Sequence, residues 1–167
     1  YYRLDDGSGR SVADATAQHN TATVRHALLD LNGTSVEGAI TTPGQQARYT
    51  FTLDSARRLS MDSFTTNSNF SWTLTGPRGI VINGRTLSYS DSAQIGGTSP
   101  SMDLVAGDYT LTIDGSGDTT GAFAFRLMDL SAGGTLVYDT PVTGTLDPGS
   151  ANVAYHFTGS AGDRLYF

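Results

Sequence analysis

Cysteine is absent from the 167 residues, which excludes disulfides, thiolate nucleophiles, thiolate zinc sites and iron–sulfur clusters together. Lysine is absent as well: all ten basic residues are Arg, so no Lys–Asn isopeptide crosslink can form within this chain. Glu37 is the only glutamate among sixteen acidic residues, and Asp carries the negative charge. Long Lys and Glu side chains favour helix surfaces, whereas Asp, Asn, Ser, Thr and Gly favour turns and caps, so this usage argues against helices. A formal net charge of -6 with no basic run argues against binding to a phosphate backbone, and no nucleic acid is expected as a partner. No stretch approaches the roughly 20 apolar residues that span a bilayer. The opening YYRLDDGSGR lacks the layout of a signal peptide, so any secretion signal is expected outside these residues.

What the sequence has in quantity is two-residue alternation. Tyr49, Phe51 and Leu53 form one set, followed by Phe70, Trp72 and Leu74, then Tyr109, Leu111 and Ile113, then Phe123, Phe125 and Leu127. Each set falls on one face of a strand, with mainly Thr, Ser, Arg and Ala between, as in an antiparallel sheet wet on one side. Turn signals separate the sets: Pro43-Gly44, Gly76-Pro77-Arg78-Gly79, Asn83-Gly84, Ala106-Gly107-Asp108 and the loop over residues 114–121. Many short strands at this spacing predict a β-sandwich. Only residues 11–17 carry any helical pattern, and they are too few to sustain a helix.

An internal repeat is the most informative feature. The run from Val36, VEGAITTPGQQARYTFTLDSARRLS, lies without gaps over VTGTLDPGSANVAYHFTGSAGDRLY from Val142. Val36, Gly38, Tyr49, Phe51, Thr52, Arg58 and Leu59 meet Val142, Gly144, Tyr155, Phe157, Thr158, Arg164 and Leu165. Subtracting 36 from 142 gives a period of 106 residues, the size of a sandwich module rather than of a solenoid repeat. A second copy is therefore expected to open near Val142 and to be cut at Phe167. A lone opening strand pair cannot bury its own apolar face. Either it folds back onto the complete module, or strands from elsewhere in the protein or from a neighbouring molecule cover it.

No catalytic pattern emerges. His19, His26 and His156 form no His-Glu-x-x-His pair, there is no Gly-x-Ser-x-Gly elbow, and a single glutamate leaves no candidate carboxylate pair beyond Asp. His156 stands out of phase with Tyr155 and Phe157, in a solvent-facing position. Asp114 and Asp118, in Asp114-Gly115-Ser116-Gly117-Asp118, offer oxygen ligands at a spacing that suits calcium; the same residues equally suit a hairpin loop, and the bidentate Glu of an EF-hand is missing. Asp5-Asp6-Gly7-Ser8-Gly9 is a lesser cluster of the same kind. Trp72, in phase with Phe70 and Leu74, is expected in the core rather than on a sugar-binding surface. Tyr1, Tyr2, Tyr89 and Tyr138 are the candidates for exposed recognition or packing between modules. The pairs Arg57-Arg58 and Arg78 with Arg85 are expected on solvated surface.

The run DLVAGDYTLTIDGSGDTTGAFAFRLMDL from Asp103, with the repeated opening strand and Tyr-x-Phe strand, resembles the bacterial pre-peptidase C-terminal domain and its relatives in very large surface proteins. The resemblance covers residues 36–130 and the opening of the next copy. Ala56-Arg57-Arg58-Leu59 stands where the second copy has Gly162-Asp163-Arg164-Leu165, so the first copy lacks the family's Gly at that turn. Residues 1–20 resemble the opening of laminin-G-like jelly rolls, and Leu28-Leu29-Asp30-Leu31 echoes Leu127-Met128-Asp129-Leu130. Together these imply an all-β, antiparallel, jelly-roll-like sandwich with the start of a second repeat. Residues 1–33 would be an N-terminal segment, the end or a fragment of a preceding laminin-G-like domain; residues 34–131 the complete module; and residues 132–167 a linker with the opening strands of the second. The implied role is non-catalytic, structural or adhesive, in a large repetitive bacterial extracellular or cell-surface protein, as a fibre or stalk unit joined through strand edges. The alternative is a carbohydrate- or protein-binding accessory domain of a secreted enzyme. Expected partners are further copies or neighbouring modules, with a glycan or matrix protein as the other class. No cofactor is expected other than calcium.

Overall fold

The computed structural model describes residues 11–13, 21–23, 25–31, 33–91, 100–164 and 166. Tyr1, Tyr2, His19 and the cluster at residues 5–9 lie outside them. Every α-helical option is gone among the described residues. The chain runs through β1 (Ser11–Ala13), β2 (Thr21–Thr23), β3 (Arg25–Leu28), β4 (Val36–Ile40), β5 (Gln46–Leu53), β6 (Arg57–Ser63), β7 (Phe70–Gly76) and β8 (Gly79–Thr86). It continues with β9 (Ser101–Leu104), β10 (Gly107–Gly115), β11 (Gly121–Asp129), β12 (Gly134–Thr135) and β13 (Tyr155–His156), with single 3₁₀ turns at Leu87–Tyr89 and Leu130–Ala132. Ser11–Ala13, inside the stretch with a helical pattern, is a strand paired antiparallel with β2.

Two sheets make the sandwich. One has the order β3-β5-β10-β7-β8 and the other β4-β11-β6-β9. Alternation sets the register of the first: Tyr109 lies opposite Phe51, Leu111 between Tyr49 and Leu74, and Ile113 between Ala47 and Trp72. These side chains meet Leu59, Met61, Phe123, Phe125 and Leu127 from the second sheet in one continuous core. An edge-on pair joins the two layers, Tyr49 against Phe125 at 5.4 Å, and a stacked pair lies within the first sheet, Phe51 over Tyr109 at 5.0 Å between centroids. Trp72 is buried, as its phase requires, and its Nε1–H donates to the Ser90 hydroxyl at 2.6 Å. Ser90 in turn donates to the Thr86 carbonyl, so the indole's one polar atom costs nothing unpaired.

The sandwich differs from a purely antiparallel one at a single edge. β3 pairs parallel with β5, and Leu29 just beyond it enters the core. The chain passes from β3 through β4 in the opposite sheet before entering β5. A connection through the other layer, unlike a hairpin, allows the two strands to run the same way.

Gly38 on β4 is a packing requirement. A Cβ there would run into the edge of the Phe123 ring and lie 2.8 Å from the Tyr49 hydroxyl. At Gly144, 106 residues on, a Cβ would meet nothing within 4 Å.

After β11 the chain does not form the strands that the repeat in sequence predicts. Where residues 36–53 give two long strands, residues 142–159 give only the two residues of β13, paired parallel with β12. Burial diverges at positions equivalent in the 106-residue register. Ile40 is 1% exposed and Leu146 50%; Ala47 3% and Val153 55%; Tyr49 8% and Tyr155 43%; Phe51 3% and Phe157 43%.

Candidate functional site

The acidic loop resolves into a hairpin. Asp114, at the end of β10, accepts a bond from the Gln46 side-chain amide at 2.8 Å across the sheet. Asp118 lies exposed in the turn to β11, where Thr119 N–H and Oγ donate to the Ser116 carbonyl and Gly117 takes a positive φ of 58°. Among the described residues no group of three or more His, Asp or Glu side chains gathers for a metal ion. His156 is exposed, with its Nε2 3.1 Å from Thr135 Oγ.

Arg57 and Arg58 are both paired with carboxylates. Arg57 meets Asp129 at 2.6 Å, and Arg58 forks onto Asp103 across β6 and β9 at 2.7 and 3.0 Å. Arg78 is exposed in the β7–β8 turn, and Arg85 lies opposite Trp72 on β8. Burial pushes the Asp129 carboxyl upward, but bonds from the Ser131 hydroxyl and backbone N–H and from Arg57 outweigh it and hold the group below the ordinary aspartate value. A depressed folded-state value means stability that is present above the unfolded value, near 4, and lost as pH falls through the folded one. Urea midpoints of the parent and of Asp129→Asn should therefore differ most above about pH 4 and converge as pH falls further. A gap that widens on acidification would contradict the assignment.

The densest polar arrangement sits on the outer face of the second sheet, where sequence pattern did not place a site. Ser60 and Asp62 alternate with the core residues Leu59 and Met61, so Asp62 points away from the core, yet its exposure is zero. Arg126, its cross-strand partner on β11, donates from Nε to Asp62 Oδ2 at 2.7 Å. Asn152, ninety residues on from Asp62, supplies the rest. Its backbone N–H donates to Oδ2 at 3.1 Å and its side-chain amide to Oδ1 at 3.0 Å, while its carbonyl accepts from Arg126 Nη2 at 2.6 Å. The Asn152 amide also reaches Asp91 at 3.5 Å. Ala151 beside it is buried. An open groove of about 280 Å³ continues along this seam, lined by Met128, Asp129, Gly133, Val153 and Ala154 among others.

Beyond the seam, the C-terminal segment presents Val142, Leu146, Val153, Tyr155 and Phe157 to solvent. Tyr138 stiffens it, packing on Phe157 at 6.3 Å between ring centroids and donating its hydroxyl to the Thr158 carbonyl at 2.8 Å. Tyr89, the other candidate recognition aromatic within the described residues, is also half exposed.

No family model and no curated protein sequence matches the chain. Among solved structures, the pre-peptidase C-terminal domain of a collagenase from Bacillus anthracis is similar over 64% of this chain and 95% of its own, at 14% identity and a TM-score of 0.46. A periplasmic inhibitor of g-type lysozyme from Salmonella Typhimurium aligns over 62% of this chain and 97% of its own, at 15% identity and a TM-score of 0.48. A mutant of the Escherichia coli inhibitor aligns over 63% and 97%, at 14% identity and the same TM-score. Likeness at this level carries no function across, and residue roles rest on this chain's own geometry.

Proposed function

We propose that the chain is a non-catalytic structural module of a repetitive extracellular or cell-surface protein, followed by the opening strands of a second copy. One observation carries this: the core positions Ile40, Ala47, Tyr49 and Phe51 have apolar counterparts in ungapped register 106 positions later, Leu146, Val153, Tyr155 and Phe157, and these stand in solvent. Exposed apolar alternation at core positions fits strands that are buried once their partners are present. Gly144 supports the same role, since it keeps open a space that an aromatic fills only in the first copy. In the first copy, β4 is paired with β11, and β5 with β10. The strands that would cover the second copy are therefore the equivalents of β10 and β11, from a further part of the same protein. The module's work is mechanical: ladder bonds and a continuous core give a stiff unit, and its free edges and C-terminal face join it to neighbours. The resemblance of residues 36–130 to pre-peptidase C-terminal domains supports the extracellular setting, and residues suited to chemistry are dispersed among the described residues rather than gathered.

The test is to complete the second copy from the first. Phe167 corresponds to Met61, so residues 62–131 of the chain are appended directly after Phe167. The extended chain should show a second cooperative unfolding transition and remain monomeric. If the appended residues stay unfolded, the repeat is refuted. If the 167-residue chain itself grows in mass with concentration and Tyr155→Ser with Phe157→Ser abolishes the growth, a second molecule rather than a following segment covers the face.

A further inference from the structure

The outer face of the β4-β11-β6-β9 sheet holds a buried carboxylate that the fold of the first module does not need. A carboxylate is costly to bury unless every lone pair finds a donor, and a hydrophobic residue of similar size is often at least as stable. A buried carboxylate of this kind is suited to fixing the position of the segment that supplies its donors. Asp62 receives three donors, and two of them come from Asn152, a residue outside the first module. Arg126 closes the ring by donating to the Asn152 carbonyl, so both backbone polar groups of Asn152 and its side chain are engaged. This is more than a loop resting on a surface.

The position of Asn152 in the repeat is the second strand of the argument. In the 106-residue register it corresponds to Gln46, the first residue of β5, and Ala151 to Gln45. Asp62 and Arg126 thus hold the second copy at the root of one of its long strands. We propose that the β6–β11 outer face is the docking surface for the following module, and that Asp62, Arg126 and Asn152 form a clasp fixing its orientation. The inference rests on the repeat proposed above. Contact between two different patches, a sheet face on one module and a strand root on the next, is head-to-tail, and joints of that kind propagate along an array instead of closing. The clasp belongs to this particular joint. Gln46 of the first copy has its side chain turned to Asp114 and Arg48 within its own sheet.

The experiment is amide hydrogen exchange on the 167-residue chain, with the free peptide of residues 145–160 as reference. In the parent, the Asn152 amide should exchange at least about 100-fold more slowly than in the peptide. Asp62→Asn keeps the shape but replaces one acceptor oxygen by an amide NH2, which in either orientation faces at least one donor. It should bring Asn152 to within about 10-fold of the peptide rate while the buried Trp72 indole N–H stays protected. Should Asp62→Asn lose the Trp72 protection as well, Asn152→Ala decides: it changes no residue of the two sheets, removes only the side-chain donor to Asp62 Oδ1, and should speed exchange at residue 152 about 10-fold. Exchange at the peptide rate in the parent, or parent-like protection in both variants, would overturn the clasp. Neither result bears on the repeat, which is read from the second transition of the extended chain.

Discussion

Trp72→Ala lowers the unfolding free energy by about 3–5 kcal/mol, the usual cost of removing a buried aromatic, and the melting temperature falls by at least about 10 °C. The indole is 1% exposed, lies opposite Ile113 on β10, and is flanked in phase by Phe70 and Leu74, both fully buried. Truncation leaves a cavity in a core closed on both sides by sheet. It also removes the donor to Ser90, although Ser90 keeps its own bond to the Thr86 carbonyl. Trp72→Phe separates the two contributions: most of the packing remains, and the loss falls to about 1–2 kcal/mol. Denaturant melts followed by circular dichroism give both numbers. A loss below 1 kcal/mol for the alanine variant would place the ring on a surface platform, as a sugar-binding aromatic requires, and not in the core.

Gly38→Val is the second large effect. The added side chain has no space between the Phe123 ring and the Tyr49 hydroxyl, and β4 can accommodate it only by moving away from the core. Overpacking of this kind costs about 1–3 kcal/mol. Gly144→Val at the equivalent position should change stability by less than about 0.5 kcal/mol in the 167-residue chain, because nothing approaches it. In the chain extended with residues 62–131, Gly144→Val should cost as much as Gly38→Val does. Equal effects at the two glycines in the shorter chain would mean that Gly144 is already packed, and would remove one support for the second copy.

Strands and their buried faces were legible because alternation is a local property. Tyr49, Phe51, Trp72, Leu111, Ile113 and Phe125 all lie in the core on the face their phase assigns. The parallel edge strand was not legible. β3 is four residues long, and its partner is chosen by a connection through the opposite sheet, which no local pattern records. The Asp62 arrangement was hidden for a similar reason. On β6 the phase of Asp62 is that of a solvated residue, and two of its three donors come from Asn152, ninety residues away. The C-terminal segment shows the converse. Val153, Tyr155 and Phe157 keep the alternation of Ala47, Tyr49 and Phe51, yet β13 finds only the two residues of β12 to pair with. Pattern specifies which face a strand would bury; its neighbours decide whether it does.

Amide hydrogen exchange at Tyr155, His156 and Phe157, measured in the 167-residue chain and in the chain extended with residues 62–131, tests the central claim most directly. Opening strands of a second module should exchange quickly in the first and, in the second, be protected to the level of Tyr49, Thr50 and Phe51. Exchange unchanged by the extension would contradict the repeat and leave residues 142–166 as a surface segment of a single sandwich.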